Sequence, residues 1–227
     1  MSTNRWWGVG GLHLVGAVLC VLGVLMNGPV RAKAPLPDEA DASECKSPQL
    51  VSLERLADMG SLDAQYQAAV FILSNHCSSA QLEDAVRRLR AAADQGHAEA
   101  AYALAQIYSA VGVSDLPDQG YDRYLMVAAE RGHAVAQHEL GLAALRGEFA
   151  ETPNSSTTAN GLYWLGAAAA EGHGLSALIL GFVHEQGLYG VAQDVCMARD
   201  WYAAGEVLGM KDAIDHLGRI DRARVCN

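Results

Sequence analysis

The chain has 227 residues, 51% of them hydrophobic and 19% charged, with no long low-complexity tract, which leaves room for one ordinary folded domain and a short appendage. A formal net charge of −10 and a pI near 5.2 repel a phosphate backbone, and no stripe of Lys and Arg offsets them, so nucleic acid is excluded as an expected partner. From residue 49 onward Ala, Leu, Glu, Gln and Arg dominate, side chains that lose little rotamer freedom in a helix, and no run of strict apolar–polar alternation argues for strands.

The first element is apolar. Residues 6–26, WWGVGGLHLVGAVLCVLGVLM, carry no charge other than one that His13 can take, and Asn27, Gly28 and Pro29 break the run. Its length suits either a secretory signal or an uncleaved membrane anchor. Val30-Arg31-Ala32 places small residues where a signal peptidase reads them, whereas Pro35 would follow a cut after Ala34. Arg5 precedes the run and Arg31 with Lys33 follows it, so charge does not settle the orientation. Leu19 is bulky where a lipid-attachment motif takes a small residue, which argues against a lipid on Cys20. Residues 1–32 are therefore read first as a cleaved signal peptide and second as an N-terminal anchor. Both readings put residues 35–227 outside the cytoplasm, in the periplasm or secreted; the anchor would leave them on the inner membrane facing the periplasm. Residues 33–47, acidic and proline-containing, form a linker.

From residue 48 to 227 the chain repeats itself. Taking the glycine of AAADQGHAEAAYALAQIY as a ruler, Gly60, Gly96, Gly132, Gly172 and Gly209 recur at spacings of 36, 36, 40 and 37. Four residues after each stands a small side chain (Ala64, Ala100, Ala136, Ser176, Ala213), and eight after, in most units, a leucine (Leu104, Leu140, Leu180, Leu217). The ninth position is small again, as at Ala105, Gly141 and Gly181. Eight residues before the glycines stand Arg88, Tyr124, Trp164 and Trp201, and alanine pairs such as Ala92-Ala93 and Ala168-Ala169 lie between. Small residues with a large neighbour on one helical stripe let two helix axes approach while the leucine or aromatic fills the groove. The glycine ends one helix in the left-handed conformation that only glycine adopts cheaply. Each unit is thus a helix, a tight turn and a second helix, and stacking the units buries one seam lined by Tyr124, Trp164 and Trp201.

The glycine–histidine turns, the alanine pairs and the WL or WY dipeptides resemble the Sel-one-like repeat, a relative of the tetratricopeptide repeat. HEQGLYGVAQDVCMARDWY, residues 184–202, carries the most specific match: Gly187, Gly190, Val191 and Asp194 stand as that family's glycine-rich loop and helix-capping aspartate, with Trp201 and Tyr202 following. The resemblance covers residues 48–221 and implies an all-α, right-handed α-solenoid of about four to five stacked antiparallel hairpins. SAVGVSDLPDQG (109–120) retains part of the loop, RGEFAETPNSSTTANG (146–161) is longer with a polar tip, and Gly205-Glu206 replaces the last alanine pair.

Of five cysteines, Cys20 lies in the N-terminal segment, and the other four permit three pairings among which sequence alone does not choose. The hairpins that the resemblance implies place Cys45 beside Cys77 and Cys196 beside Cys226, one disulfide at each end of the stack. Four buried free thiols are the alternative if the chain faces the cytoplasm. No C-x-x-C occurs, so no metal site is expected.

Eight histidines invite a search for catalysis. His97, His133 and His173 hold the same place after their glycines, which marks turn residues. No H-E-x-x-H, G-x-S-x-G or phosphate loop occurs, and His138-Glu139 and His184-Glu185 are adjacent pairs facing different sides of a helix. The expectation is a protein with no catalytic residues, cofactor or metal: a scaffold that binds an unidentified envelope or secreted protein, touching membrane only through residues 6–26 if they are uncleaved. Cysteine-rich secreted members of the similar family bind or hydrolyse β-lactams, which keeps a cell-wall-directed hydrolase as the alternative; the cysteine pair those members carry in each repeat is missing from the inner units here.

Overall fold

The computed structural model describes residues 45, 47–75, 79–111, 120–148, 157–224 and 226. The apolar segment 6–26, nearly all of the 33–47 linker, Cys77 and the polar tip of the 146–161 loop lie outside the described residues. Among those described there are ten α-helices and no strand: α1 (Pro48–Asp58), α2 (Leu62–Ser74), α3 (Ser79–Asp94), α4 (Ala98–Val111), α5 (Gly120–Glu130), α6 (Ala134–Leu145), α7 (Thr157–Ala170), α8 (Gly174–Gln186), α9 (Val195–Val207) and α10 (Lys211–Ala223), with a 3₁₀ turn at Leu188–Gly190 between α8 and α9. The fold is an all-α solenoid of helical hairpins.

Every hairpin turn uses the same backbone device. All five register glycines have positive φ, between 79° and 93°. In the turn after α3, Gly96 N–H donates to the Ala93 carbonyl and His97 N–H reaches back to Ala92, at 2.8 and 3.0 Å. The turn after α7 repeats this with Gly172 to Ala169 and His173 to Ala168, at 3.0 and 2.9 Å. These are the paired bonds of a Schellman cap, and they satisfy the last carbonyls of the helix. The alanine pairs supply those carbonyls and carry no bulk against the next layer. After α9 the carbonyls come from Gly205 and Glu206 instead, so the cap survives the loss of the alanines.

Contacts divide the chain into two units, the first ending at Ala128 and the second beginning at Ala129. In the first, α1 packs on α2, α2 on α3 and α3 on α4. Ser47 caps α1 by accepting from Leu50 N–H at 3.1 Å, and Pro48 sits in the first turn, where its missing N–H costs nothing. The interior is alanine and leucine: Ala68, Ala69, Leu89, Ala100 and Leu104 are fully buried. Each such leucine contributes about 1.5–3 kcal/mol through burial.

In the second unit α6 packs on α7, α7 on α8, α8 on α9 and α9 on α10, and α8 also touches α10. One core centres on Leu145, Leu165, Leu180 and Val183. The next centres on Leu178, Ala198, Tyr202, Ala213 and Ile220. Glycines set the helix spacing: a Cβ on Gly141 would lie 2.7 Å from Leu165 Cγ, and one on Gly205 would lie 2.8 Å from the Ala213 Cβ. The glycine that replaces an alanine in the last hairpin is therefore required by the contact it makes.

Candidate functional site

The residue after each register glycine opens the following helix. Ser61 Oγ accepts from Ala64 N–H at 3.3 Å, and the Nδ1 atoms of His97 and His133 accept from Ala100 and Ala136 N–H at 3.1 and 3.2 Å. Histidine here takes the place of serine as a helix N-cap, which fixes the tautomer: Nδ1 is bare and Nε2 carries the hydrogen. Asp194 caps α9 in the same sense, accepting from Cys196 and Met197 N–H at 3.0 and 2.9 Å. Gly187 and Gly190 both have positive φ in the loop leading to it.

Of the aromatics placed on the seam, Tyr124 is buried, stacked 5.7 Å from Tyr108, whereas Trp164 and Trp201 are partly exposed. Trp201 rests against the Leu165–Leu180 core. The deepest aromatic is its neighbour Tyr202, fully buried, whose ring occupies the space where a Cβ on Gly181 would stand.

Two polar clusters lie inside the second unit. At the first, Ser176 Oγ is 2.9 Å from Nδ1 of His138 on α6 and 2.9 Å from Nδ1 of His173 at the start of α8. The two rings are 4.4 Å apart, Ser176 is 0% exposed and His138 8%. Burial, helped by the charge of His173, holds His138 down at about 4, and burial also lowers His173. Both are therefore neutral near pH 7. Around the second cluster, Glu185 Oε2 accepts from the Tyr202 hydroxyl at 2.6 Å and lies 3.1 Å from His216 Nδ1, while Oε1 accepts from Arg219. The His216 ring stacks on Tyr202 at 4.8 Å and meets the edge of Phe182 at 4.6 Å. Burial first, then the Glu185 carboxylate, raises the Tyr202 phenol far above its usual range, so it stays a donor. In the sequence His138 and Glu185 stand out only as halves of adjacent pairs, and Ser176 as one of the small residues four after a register glycine.

In the first unit a pocket of about 280 Å³ is lined by Asp58, Gln65, Asp84, Arg87 and Arg88 together with Ala57 and Ala91. Asp84 binds both arginines, Arg88 Nε at 2.6 Å, and although burial opposes it, these bonds lower the carboxyl's pKa. Gln65 Nε2 reaches the Ala57 carbonyl at 3.5 Å, and at the equivalent register Gln137 Nε2 reaches Ala129 at 3.0 Å; both leave Oε1 without a partner among the described residues. The orphaned oxygen therefore belongs to the repeat and is not peculiar to this pocket. No group of three or more His, Cys, Asp or Glu converges as a metal site among the described residues, and no helix among them is long and apolar enough to cross a membrane.

Cys196 and Cys226 have Cα atoms 5.4 Å apart, within disulfide reach, and Cys226 packs against the last core. Cys45 is buried, and its expected partner Cys77 lies outside the described residues.

No protein-family model matches the chain, and no curated protein matches it. Among solved structures, a Sel1 repeat protein from Oxalobacter formigenes is similar over 75% of this chain and 48% of its own, with 25% identity and a TM-score of 0.62. The chain has the Sel1-like repeat fold. A protective antigen present in uropathogenic Escherichia coli strains, displaying an SLR fold, matches over 78% of this chain and 37% of its own, with 21% identity and a TM-score of 0.57. The chain thus spans about half the length of the first of these structures and less of the second. The position-by-position chemistry agrees with that fold: positive-φ glycines at the turns, buried small residues four positions on, and an aspartate cap after the glycine loop.

Proposed function

We propose that this Sel1-like repeat protein is a non-catalytic scaffold that holds another protein in the cell envelope. The observation that carries the reading is the division of labour along the helices of the second unit. Positions four and eight after the glycines are consumed by packing, while large apolar side chains nearby stay in solvent: Tyr163 on α7 is 67% exposed, and Leu175 on α8 and Leu188 and Tyr189 in the following 3₁₀ turn are also exposed. Such side chains, free of the packing that holds the seam, are what a repeat scaffold offers a partner. Ser176, buried between two histidines, has no exposed surface from which to attack a substrate.

The envelope location rests on residues 1–32 as a cleaved export signal, with an uncleaved anchor as the alternative, and on the four cysteines as two disulfides, Cys45–Cys77 and Cys196–Cys226. The partner is an envelope or secreted protein. The test is affinity capture from intact envelopes with a C-terminally tagged chain, alongside Tyr163→Ser and a deletion of residues 149–156. A specific partner lost with Tyr163→Ser supports the reading, and a partner lost only with the deletion moves the contact to the loop. Turnover of a β-lactam by the purified mature chain would replace the scaffold by the hydrolase reading. N-terminal sequencing of the mature chain separates signal from anchor.

A further inference from the structure

The repeat contains its own control for the buried His138–Ser176–His173 cluster. In the first unit the residue six after the register glycine is Tyr66, and its ring lies 5.1 Å from His97, the cap of the next hairpin's second helix. In the second unit the same two register positions are His138 and His173, with rings 4.4 Å apart. A second histidine has replaced the tyrosine. At the fourth position, where the other units have Ala64, Ala100, Ala136 and Ala213, this unit alone has Ser176. Two departures from the repeat have thus arisen at positions that touch each other.

A third difference concerns the charges around the capping histidine. His97 has Asp63 Oδ1 3.0 Å from Nε2 and Glu99 Oε2 3.5 Å from Nδ1, so two carboxylates flank its ring. The register equivalents around His173 are Val135 and Leu175. Of the elements packed here, α7 contributes Tyr163 as its one titratable side chain, and that is largely exposed. From α8 come His173 at the start and His184 and Glu185 at the far end, Glu185 being held by Tyr202 and Arg219. The residues before and on α6 are Glu130, Arg131, His133 and Glu139, yet the one charge that acts on His138 is that of His173. Glu171, in the turn before α8, reaches toward Gly132, and among the described residues no carboxylate forms an ion pair with either histidine of the bridge.

The bridge has one hydroxyl hydrogen to share. With both rings neutral, one histidine donates Nδ1–H to Ser176 Oγ, and the hydroxyl donates to the bare Nδ1 of the other. A first proton can settle on the free Nε2 of the donating ring and leave both bonds in place, whereas a second must go to the bare Nδ1, where it takes away the acceptor of the hydroxyl and sets two cations face to face with ring centroids 4.4 Å apart. The other histidine caps bind a backbone N–H at Nδ1, whereas His173 makes no such bond, so the first turn of α8 is held to its neighbour through the serine.

We propose that the His138–Ser176–His173 bridge is an acid-operated latch that fastens the start of α8 to α6 while at least one of the two histidines is neutral and releases it when both are protonated. This inference is independent of the scaffold reading, since it concerns one junction and no partner.

The test is an imidazole and amide NMR titration of the full chain from pH 7.5 to 3.5, read beside amide exchange at residues 174–177 and, as a control, at Ala198–Tyr202. The expected result is that His138 takes up its proton near pH 4 and protection at 174–177 falls with the same midpoint while Ala198–Tyr202 stays protected. In the double variant Val135→Asp/Leu175→Glu, both changes at exposed positions, His173 should titrate at least about tenfold more easily in proton concentration, while the release should still follow the His138 titration. In Ser176→Ala, which restores the residue of the other units, the loss of protection should no longer follow the histidine titration. The latch is overturned if His138 titrates near 6.5, if residues 174–177 open only together with Ala198–Tyr202, or if Ser176→Ala leaves the coupled midpoint in place.

Discussion

The Tyr202 hydroxyl donates to Glu185 Oε2 across 2.6 Å, tying the middle of α9 to the end of α8 from within the core. Glu185 keeps His216 and Arg219 when that bond is removed, so its charge is not stranded. Tyr202→Phe is therefore expected to cost about 1–2 kcal/mol, a charged-group hydrogen bond less partial compensation, measured by urea unfolding. Tyr202→Ala should cost several times more, because it also empties the space left by Gly181.

Two glycine substitutions separate backbone strain from steric exclusion. Around Gly172, at φ +90°, nothing lies within 4 Å of an added Cβ, so Gly172→Ala carries conformational strain alone, about 1–2 kcal/mol. At Gly141 the backbone is helical and the added carbon meets Leu165 Cγ at 2.7 Å, so Gly141→Ala pushes α6 off α7. The expected difference is that Leu165→Ala relieves part of the second variant, the contact with the Leu165 backbone nitrogen at 3.0 Å remaining, and none of the first, read from a double-mutant cycle in thermal unfolding.

What could be read from residue order divides along the same physical line. The turns were legible at Gly60, Gly96, Gly132, Gly172 and Gly209 because a left-handed residue needs glycine wherever it occurs, and that requirement is local. Asp194 was legible as a cap for the same reason: its partners are two and three residues away. Trp201 was placed on the seam by its offset from Gly209, but Tyr202, one residue on and about 100° further round the helix, goes deeper. What admits it is the missing side chain of Gly181 on another helix. Ser176 and His138 are 38 residues apart, and only the stacking of successive hairpins brings them together. A serine at a small-residue position looks like any other spacer until its neighbour across the layer is known.

The cap at Asp194 makes a third prediction. Asp194→Ala removes the acceptor for two N–H groups and should cost about 1 kcal/mol, whereas Asp194→Asn should retain most of it. Circular dichroism in urea, comparing the two, checks the order.

Stability should fall on mild acidification. His138 binds its proton at about 4 in the folded chain and near 6.5 when unfolded. Above pH 6.5 neither state is protonated and the full stability is present; between 6.5 and 4 the unfolded state alone gains the proton, so stability declines, and below 4 this contribution is flat. The shift corresponds to at most about 3 kcal/mol. Urea midpoints at pH 7.5, 5.5 and 4 test this, with His138→Gln expected to flatten the slope.

The proposed Cys196–Cys226 bond closes a separation of 30 residues and should contribute about 3–4 kcal/mol in the chain-entropy model. Mass spectrometry of the non-reduced, digested chain should find the 196–226 and 45–77 peptide pairs, and Cys226→Ser should lower the unfolding midpoint by the effect of the first pair alone.

Backbone chemical shifts and couplings of the full chain in solution bear most directly on the stacked-hairpin architecture. Helical shifts should run through Pro48–Asp58, Leu62–Ser74 and each later helix, broken by positive φ at Gly60, Gly96, Gly132, Gly172 and Gly209. A run of strand-like shifts inside any of these helices, or a register glycine with helical φ in mid-helix, would contradict it.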